Sequence, residues 1–124
     1  MPITFIIDRS KNLTTFTMTG EVFFHEFMQI LNAYGKQGPT LQEVYDARSI
    51  EGKRPTTDQM NMLAEYLTKY SDKRASGSKT AIVVSESIDF GLSRMLSLLT
   101  DDNTTYDIEV FRNIAEAYQW LEIS

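Results

Sequence analysis

The chain has 124 residues, 42% of them apolar, with seven Phe, six Tyr, one Trp, six Gly and three Pro. That length fits one domain, residues 1-124, able to bury roughly two thirds of its unfolded surface, and the composition excludes a fibrous or disordered polymer. A net charge of −5 with no cysteine excludes a disulfide framework and thiolate chemistry; it also argues against nucleic acid as a partner, because that binding rests on clustered Lys and Arg.

Ile3 to Arg9 and Leu13 to Thr19 are β-rich, and the second segment alternates Leu13, Thr15, Thr17 and Thr19 with Thr14, Phe16 and Met18. Ser10, Lys11 and Asn12 between them carry hairpin chemistry, so an antiparallel pair opens the fold. Gly20 marks a change to helical period. Within Val22 to Tyr34, the residues Phe23, Phe24, Phe27, Met28, Leu31 and Tyr34 recur every three or four positions and share one wide face. Gly35, Gly38 and Pro39 are expected to end that helix.

Leu41 to Ala47 reads as a strand and Arg48 to Pro55 as a polar loop. Thr56 followed by Gln59 has the form of a capping box, which starts a second helix near Thr57. Met60, Leu63, Ala64 and Leu67 keep its apolar interval, and Lys69, Lys73 and Arg74 suit the dipole at its end. Thr80 to Ser85 is a nearly continuous apolar run, expected at the sheet centre with both faces covered. Phe90 to Leu99 reads as a third helix using Leu92, Met95, Leu96 and Leu99, with Ser87 or Asp89 as its cap. Asp101 to Thr105 form a turn, Tyr106 to Phe111 a strand, and Asn113 the cap of a last helix that turns Ile114, Ala117, Tyr118 and Leu121 inward.

The order β-β-α-β-α-β-α-β-α predicts an α/β fold, a five-stranded mixed sheet with four helices, because strands that alternate with helices pair in parallel through crossovers.

Three phrases carry a resemblance: VYDAR at 44–48, TAIVVSESIDFGLSRM at 80–95 and EVFRNIAEAYQWL at 109–121. Together with the element order they resemble the STAS superfamily, and within it the SpoIIAA-like proteins related to the anti-sigma-factor antagonist of sporulation. The resemblance covers nearly the whole chain and implies a SpoIIAA-like (STAS-like) fold and a non-enzymatic regulatory or protein-interaction role. In the phosphorylated antagonists a strand ending in Asp runs directly into a Ser or Thr motif at the next helix. Here Ala47 and Arg48 follow Asp46, Ser49 comes three places on, and the helix waits until Thr56 or Thr57. Ser49, Thr56 and Thr57 are therefore weak phosphoacceptor candidates, and the resemblance assigns the role to none of them.

The candidate anion or ligand site is the stretch from Arg48 to Thr57, where Arg48, Lys53 and Arg54 stand beside the helix start at Thr56 and Thr57, with Arg94 as a further cation near the third helix. Residues 1–80 have a net charge of +1 and residues 81–124 of −6, which places an anion site in the first two thirds. The simpler reading is that Arg48 pairs with Asp46 or Glu51 while Lys53 and Arg54 are solvated. His25 has no second histidine or cysteine to share a metal, so neither metal nor cofactor is expected. No nucleophile elbow, phosphate loop or dinucleotide glycine pattern occurs, and no catalytic residues are assigned.

Phe23, Phe24 and Phe27 offer more apolar area than one sheet face needs. Full burial is the simpler outcome, and the alternative is a homodimer surface through the first helix or the lip of an apolar pocket. No stretch approaches the roughly 20 apolar residues of a membrane span. The expectation is a bacterial, cytoplasmic regulatory module whose protein partner the sequence does not specify. The rival expectation is a binder of an anionic or amphipathic small molecule, a nucleotide or a lipid.

Overall fold

A reverse turn over residues 9–12 opens the fold in the computed structural model, which describes residues 2–70, 73–100 and 106–122. Asp8 Oδ1 accepts from the Ser10 N–H at 3.0 Å and from the Ser10 hydroxyl at 2.6 Å. Asn12 takes φ 52°, a left-handed position that asparagine tolerates. The turn pairs β1 (Ile3–Asp8) antiparallel with β2 (Leu13–Glu21), with Phe5 opposite Phe16.

The chain continues through α1 (Phe24–Lys36), β3 (Gln42–Glu51), α2 (Thr57–Tyr70), β4 (Lys79–Val83), α3 (Ser87–Thr100), β5 (Asp107–Phe111) and α4 (Ile114–Leu121). The sheet runs β1-β2-β3-β4-β5, with β2 to β5 mutually parallel. Helices α1, α2 and α3 cover one face, where Phe16, Tyr45, Leu31, Leu63 and Leu96 join the larger core. Helix α4 covers the other, packing Ala117 and Leu121 on Val44, Ala81 and Val83. Each large side chain sealed there contributes about 1.5–3 kcal/mol of apolar burial.

The expected fold class and element order are present. The capping box forms, with the Gln59 N–H donating to Thr56 Oγ1 at 3.1 Å and the Thr56 N–H to Gln59 Oε1 at 3.0 Å. Asn113 caps α4 by accepting from the N–H groups of Ala115 and Glu116. The expected turn at Asp101 to Thr105 lies outside the described residues.

Several details differ. The central strand is β3, not the apolar run at Thr80 to Ser85, although β4 is covered on both faces as expected. Strand β3 also runs on through Arg48 and Ser49 to Glu51, because β2 extends beside it past an irregularity between Thr17 and Thr19. Half of the expected loop is therefore strand. Gly35 lies inside α1 rather than ending it, where a Cβ would stand 3.4 Å from the Tyr70 ring. Arg74, expected near the end of α2 where a cation suits the dipole, lies four residues past Tyr70 with its side chain at 0% exposure.

Candidate functional site

A cavity of about 360 Å³ lies between the sheet and the three helices of the larger core. Tyr45, Ala47, Ile82 and Ile108 supply its sheet wall, Phe27 and Leu31 its α1 wall, Met60 and Leu63 its α2 wall and Leu96 its α3 wall. These are the apolar stripes read from the sequence, but they do not close on one another. The volume lies within the range of small-molecule sites.

Polar groups stand at its two ends. The outer end lies at the C-terminal ends of the parallel strands, where Lys53, Arg54, Thr56, Gln59 and Asp89 join Phe23 in the lining. The inner end is formed by Glu43, Thr80 and Tyr106. Glu43 pairs across the sheet with Thr80 and stands four steps along β3 from Ala47, about 13 Å of extended chain.

The outer end is built by a turn after β3. Gly52 takes φ 84°, and a Cβ there would stand 2.9 Å from Glu21 Cγ, so both conformation and space call for glycine. The turn delivers Arg54, whose Nη1 donates to the Gly52 carbonyl at 2.7 Å. Arg54 also donates through Nε at 2.5 Å and Nη2 at 3.1 Å to the two carboxylate oxygens of Asp89 in the first turn of α3. These side chains are 16% and 8% exposed, so the pair is partly desolvated. The Asp89 carboxylate holds the Arg54 guanidinium above its ordinary pKa.

The inner end is a buried polar cluster. Glu43 is 2% exposed, and its Oε1 accepts from the Thr80 hydroxyl at 3.0 Å and meets Arg74 Nη1 at 3.3 Å. The Tyr70 hydroxyl reaches Oε2 at 3.4 Å. Arg74 Nη2 donates to the carbonyls of Leu41 and Lys79, and the guanidinium stacks 4.4 Å above the Tyr106 ring. Burial pushes the Glu43 carboxyl above the usual carboxylate range, opposed by Arg74. Burial, then the Glu43 charge, pushes the Tyr70 hydroxyl far above its ordinary value.

The candidate residues from the sequence divide into two groups. Lys53, Arg54 and Thr56 come together at the outer end of the cavity. Arg48 lies outside the lining and grips Asp46 through Nε at 2.9 Å and Nη2 at 2.8 Å. Ser49 on β3, Thr57 at the start of α2 and Arg94 on α3 are exposed and also lie outside it. His25 is exposed and stacks on Phe23, the centroids 6.1 Å apart. Among the described residues no group of three or more His, Cys, Asp or Glu could hold a metal ion.

Sequence reasoning missed Glu43 and Arg74. A signal was present for Glu43, which falls in the same alternation as Tyr45 and Ala47 on the inward face of β3. Phe23 was expected to be buried in the simpler reading; it is 52% exposed and forms the lip of the cavity.

A solved structure is similar in fold: an uncharacterised protein of the DUF3478 family with a SpoIIAA-like fold, from Shewanella loihica PV-4. The TM-score is 0.65 over 96% of this chain and 93% of that one, at 15% identity. The fold is SpoIIAA-like. No protein-family model matches the chain, and no curated protein matches it significantly. In this chain the outer end of the cavity lies at the carboxyl ends of the parallel strands, where α/β sheets bind ligands. No helix among the described residues is long and apolar enough to cross a membrane.

Proposed function

We propose that this chain is a non-enzymatic SpoIIAA-like regulatory module that acts through contact with another protein. The observation that carries this reading is the apolar rim at the outer end of the cavity. Phe23 is 52% exposed and lines the opening, and Ile88, 59% exposed, immediately precedes the lining residue Asp89. Large apolar side chains left in water beside an opening suit a partner surface. A second copy of the chain meeting through the start of α1 is one form of this contact.

Photo-crosslinking from position 23 in the native cell, with position 69 on the outer surface of α2 as control, tests the reading. A discrete adduct from position 23 alone supports it. Substrate turnover by the purified protein that disappears on changing Arg48 or Arg94 would overturn it. Sedimentation of the wild type and Phe23→Ser tests the homodimer, which predicts a dimer lost in the variant.

The cavity favours a second reading, a binder of an amphipathic small molecule. An apolar interior of about 360 Å³ with polar groups at both ends matches an elongated ligand that is mostly hydrocarbon. Thermal shift tests it: medium-chain fatty acids raise the melting temperature, whereas no rise with any of them would sink this reading.

A further inference from the structure

The sheet ends in two edge strands, β1 and β5, and they are not alike. The Thr19 N–H donates to the Pro2 carbonyl at 2.8 Å, which fixes the phase of the β1–β2 ladder. Thr4 and Ile6 turn their backbone groups toward β2, and Ile3, Phe5 and Ile7 turn theirs outward. Among the described residues nothing meets those outward N–H and C=O groups. The segment Ile3 to Ile7 also holds no charge, proline or bulge that would keep another strand away. Strand β5 is guarded instead. Its outward Ile108 carbonyl accepts from the Ser97 hydroxyl at 2.9 Å, and exposed Asp107 and Glu109 flank that residue.

The side chains of β1 are incompletely covered as well. Phe5 and Ile7 pack at the margin of the larger core and are only partly buried. On the opposite face Ile6 is 74% exposed and Thr4 is exposed beside it, because α4 packs on β3, β4 and β5. A strand added outside β1 must therefore bring apolar side chains on the α1 side and small or apolar ones beside Ile6.

A second β1 meets that requirement. Two copies running antiparallel about a two-fold axis at Phe5 set Ile3 opposite Ile7 and Thr4 opposite Ile6, and every outward backbone group of Ile3, Phe5 and Ile7 finds a partner. No like charges oppose one another, since Asp8, the one charged residue of β1, falls opposite Pro2 and is already engaged by Ser10. Pairing of β1 with β5 would build an open filament, whereas β1 with β1 closes at two copies. We propose that β1 is a self-association edge, through which two copies of this chain join their five-stranded sheets into one continuous sheet. No residue of β1 lines the cavity, so this contact leaves the rim and Phe23 to other partners. One strand edge buries less than the roughly 1,200–2,000 Å² of a standard interface, so the dissociation constant is expected in the micromolar range.

Sedimentation of the full chain up to about 1 mM is expected to show a monomer–dimer equilibrium. Backbone amide exchange locates the contact. The Phe5 and Ile7 amides should slow about tenfold from dilute to concentrated samples, while those of Thr4 and Ile6, bonded to β2 in either state, keep their rates. Ile6→Lys changes a position exposed enough to spare the monomer fold; it should weaken the dimer about tenfold, and Phe23→Ser should not. A monomer at about 1 mM overturns the proposal, as does a dimer that survives Ile6→Lys with unchanged Phe5 and Ile7 amides. A dimer lost in Phe23→Ser and kept in Ile6→Lys overturns it in favour of the α1 contact, and the proposed function then stands.

Discussion

Arg54 and Asp89, 35 positions apart in the chain, join the turn after β3 to the first turn of α3 through two parallel hydrogen bonds at the outer end of the cavity. A planar guanidinium meeting both oxygens of one carboxylate fixes orientation as well as distance. The link therefore sets the width of the opening. Asp89→Ala leaves a partly buried guanidinium unpaired and is expected to cost roughly 1–3 kcal/mol. It should also speed dissociation of a bound fatty-acid probe. Stopped-flow release and urea unfolding measure the two effects, and an unchanged release rate would mean the pair does not govern access.

Arg74 and Glu43 form the second ion pair of consequence. Arg74→Ala leaves the Glu43 carboxylate buried without its cation, which is expected to cost about 3–5 kcal/mol. Replacing both residues with methionine should cost far less. Urea unfolding of the two proteins checks the contrast, and a double replacement as damaging as the single one would contradict it.

The two buried or half-buried carboxylates on β3 should respond to pH in opposite directions. Burial raises the Glu43 pKa in the folded state, so its contribution is fully present below the ordinary carboxylate range and is lost as pH rises through the raised value. Glu43→Gln removes that dependence, and the stability gap between wild type and variant should be larger near pH 4 than near pH 7. Hydrogen bonds from Arg48 lower the Asp46 pKa, so its contribution is present above the ordinary range and is lost as pH falls. For Asp46→Asn the gap should therefore be larger near pH 7, though no more than about 1 kcal/mol, because the pair is partly exposed. Unfolding curves at both pH values decide the signs.

Val83 is 0% exposed and packs beneath α4. Val83→Asp would bury a carboxylate among Val44, Ala81 and Leu121, with no cation among the members of that cluster. The variant is expected not to fold, as read by loss of near-UV circular dichroism. A cooperative transition at the wild-type temperature would contradict the packing described.

Most of the frame was legible because it depends on local signals. The Thr56–Gln59 box, the Asn113 cap, the residues 9–12 turn and the apolar run of β4 each act within a few residues of themselves. What escaped depends on distant partners. Strand β3 outruns its apolar core because β2 offers it ladder positions as far as Glu21, and nothing in RSIE reveals that neighbour. Lys69, Lys73 and Arg74 look alike as a basic run, yet Arg74 alone turns inward to the carbonyls of Leu41, just before β3, and Lys79, at the start of β4. Arg54 looked solvated because its acid stands on another element. The cavity follows from how far the helices stand from the sheet, which no single stripe encodes.

The most direct measurement of the account is a titration of the isotope-labelled chain with dodecanoate, followed through side-chain methyl resonances. The account predicts saturable shifts at Leu31, Met60, Leu63 and Leu96, which line the cavity, while Ala117 and Leu121 on the opposite face stay unchanged. Shifts confined to the α4 face, or none anywhere at saturating fatty acid, would contradict a binding site between the sheet and its three helices.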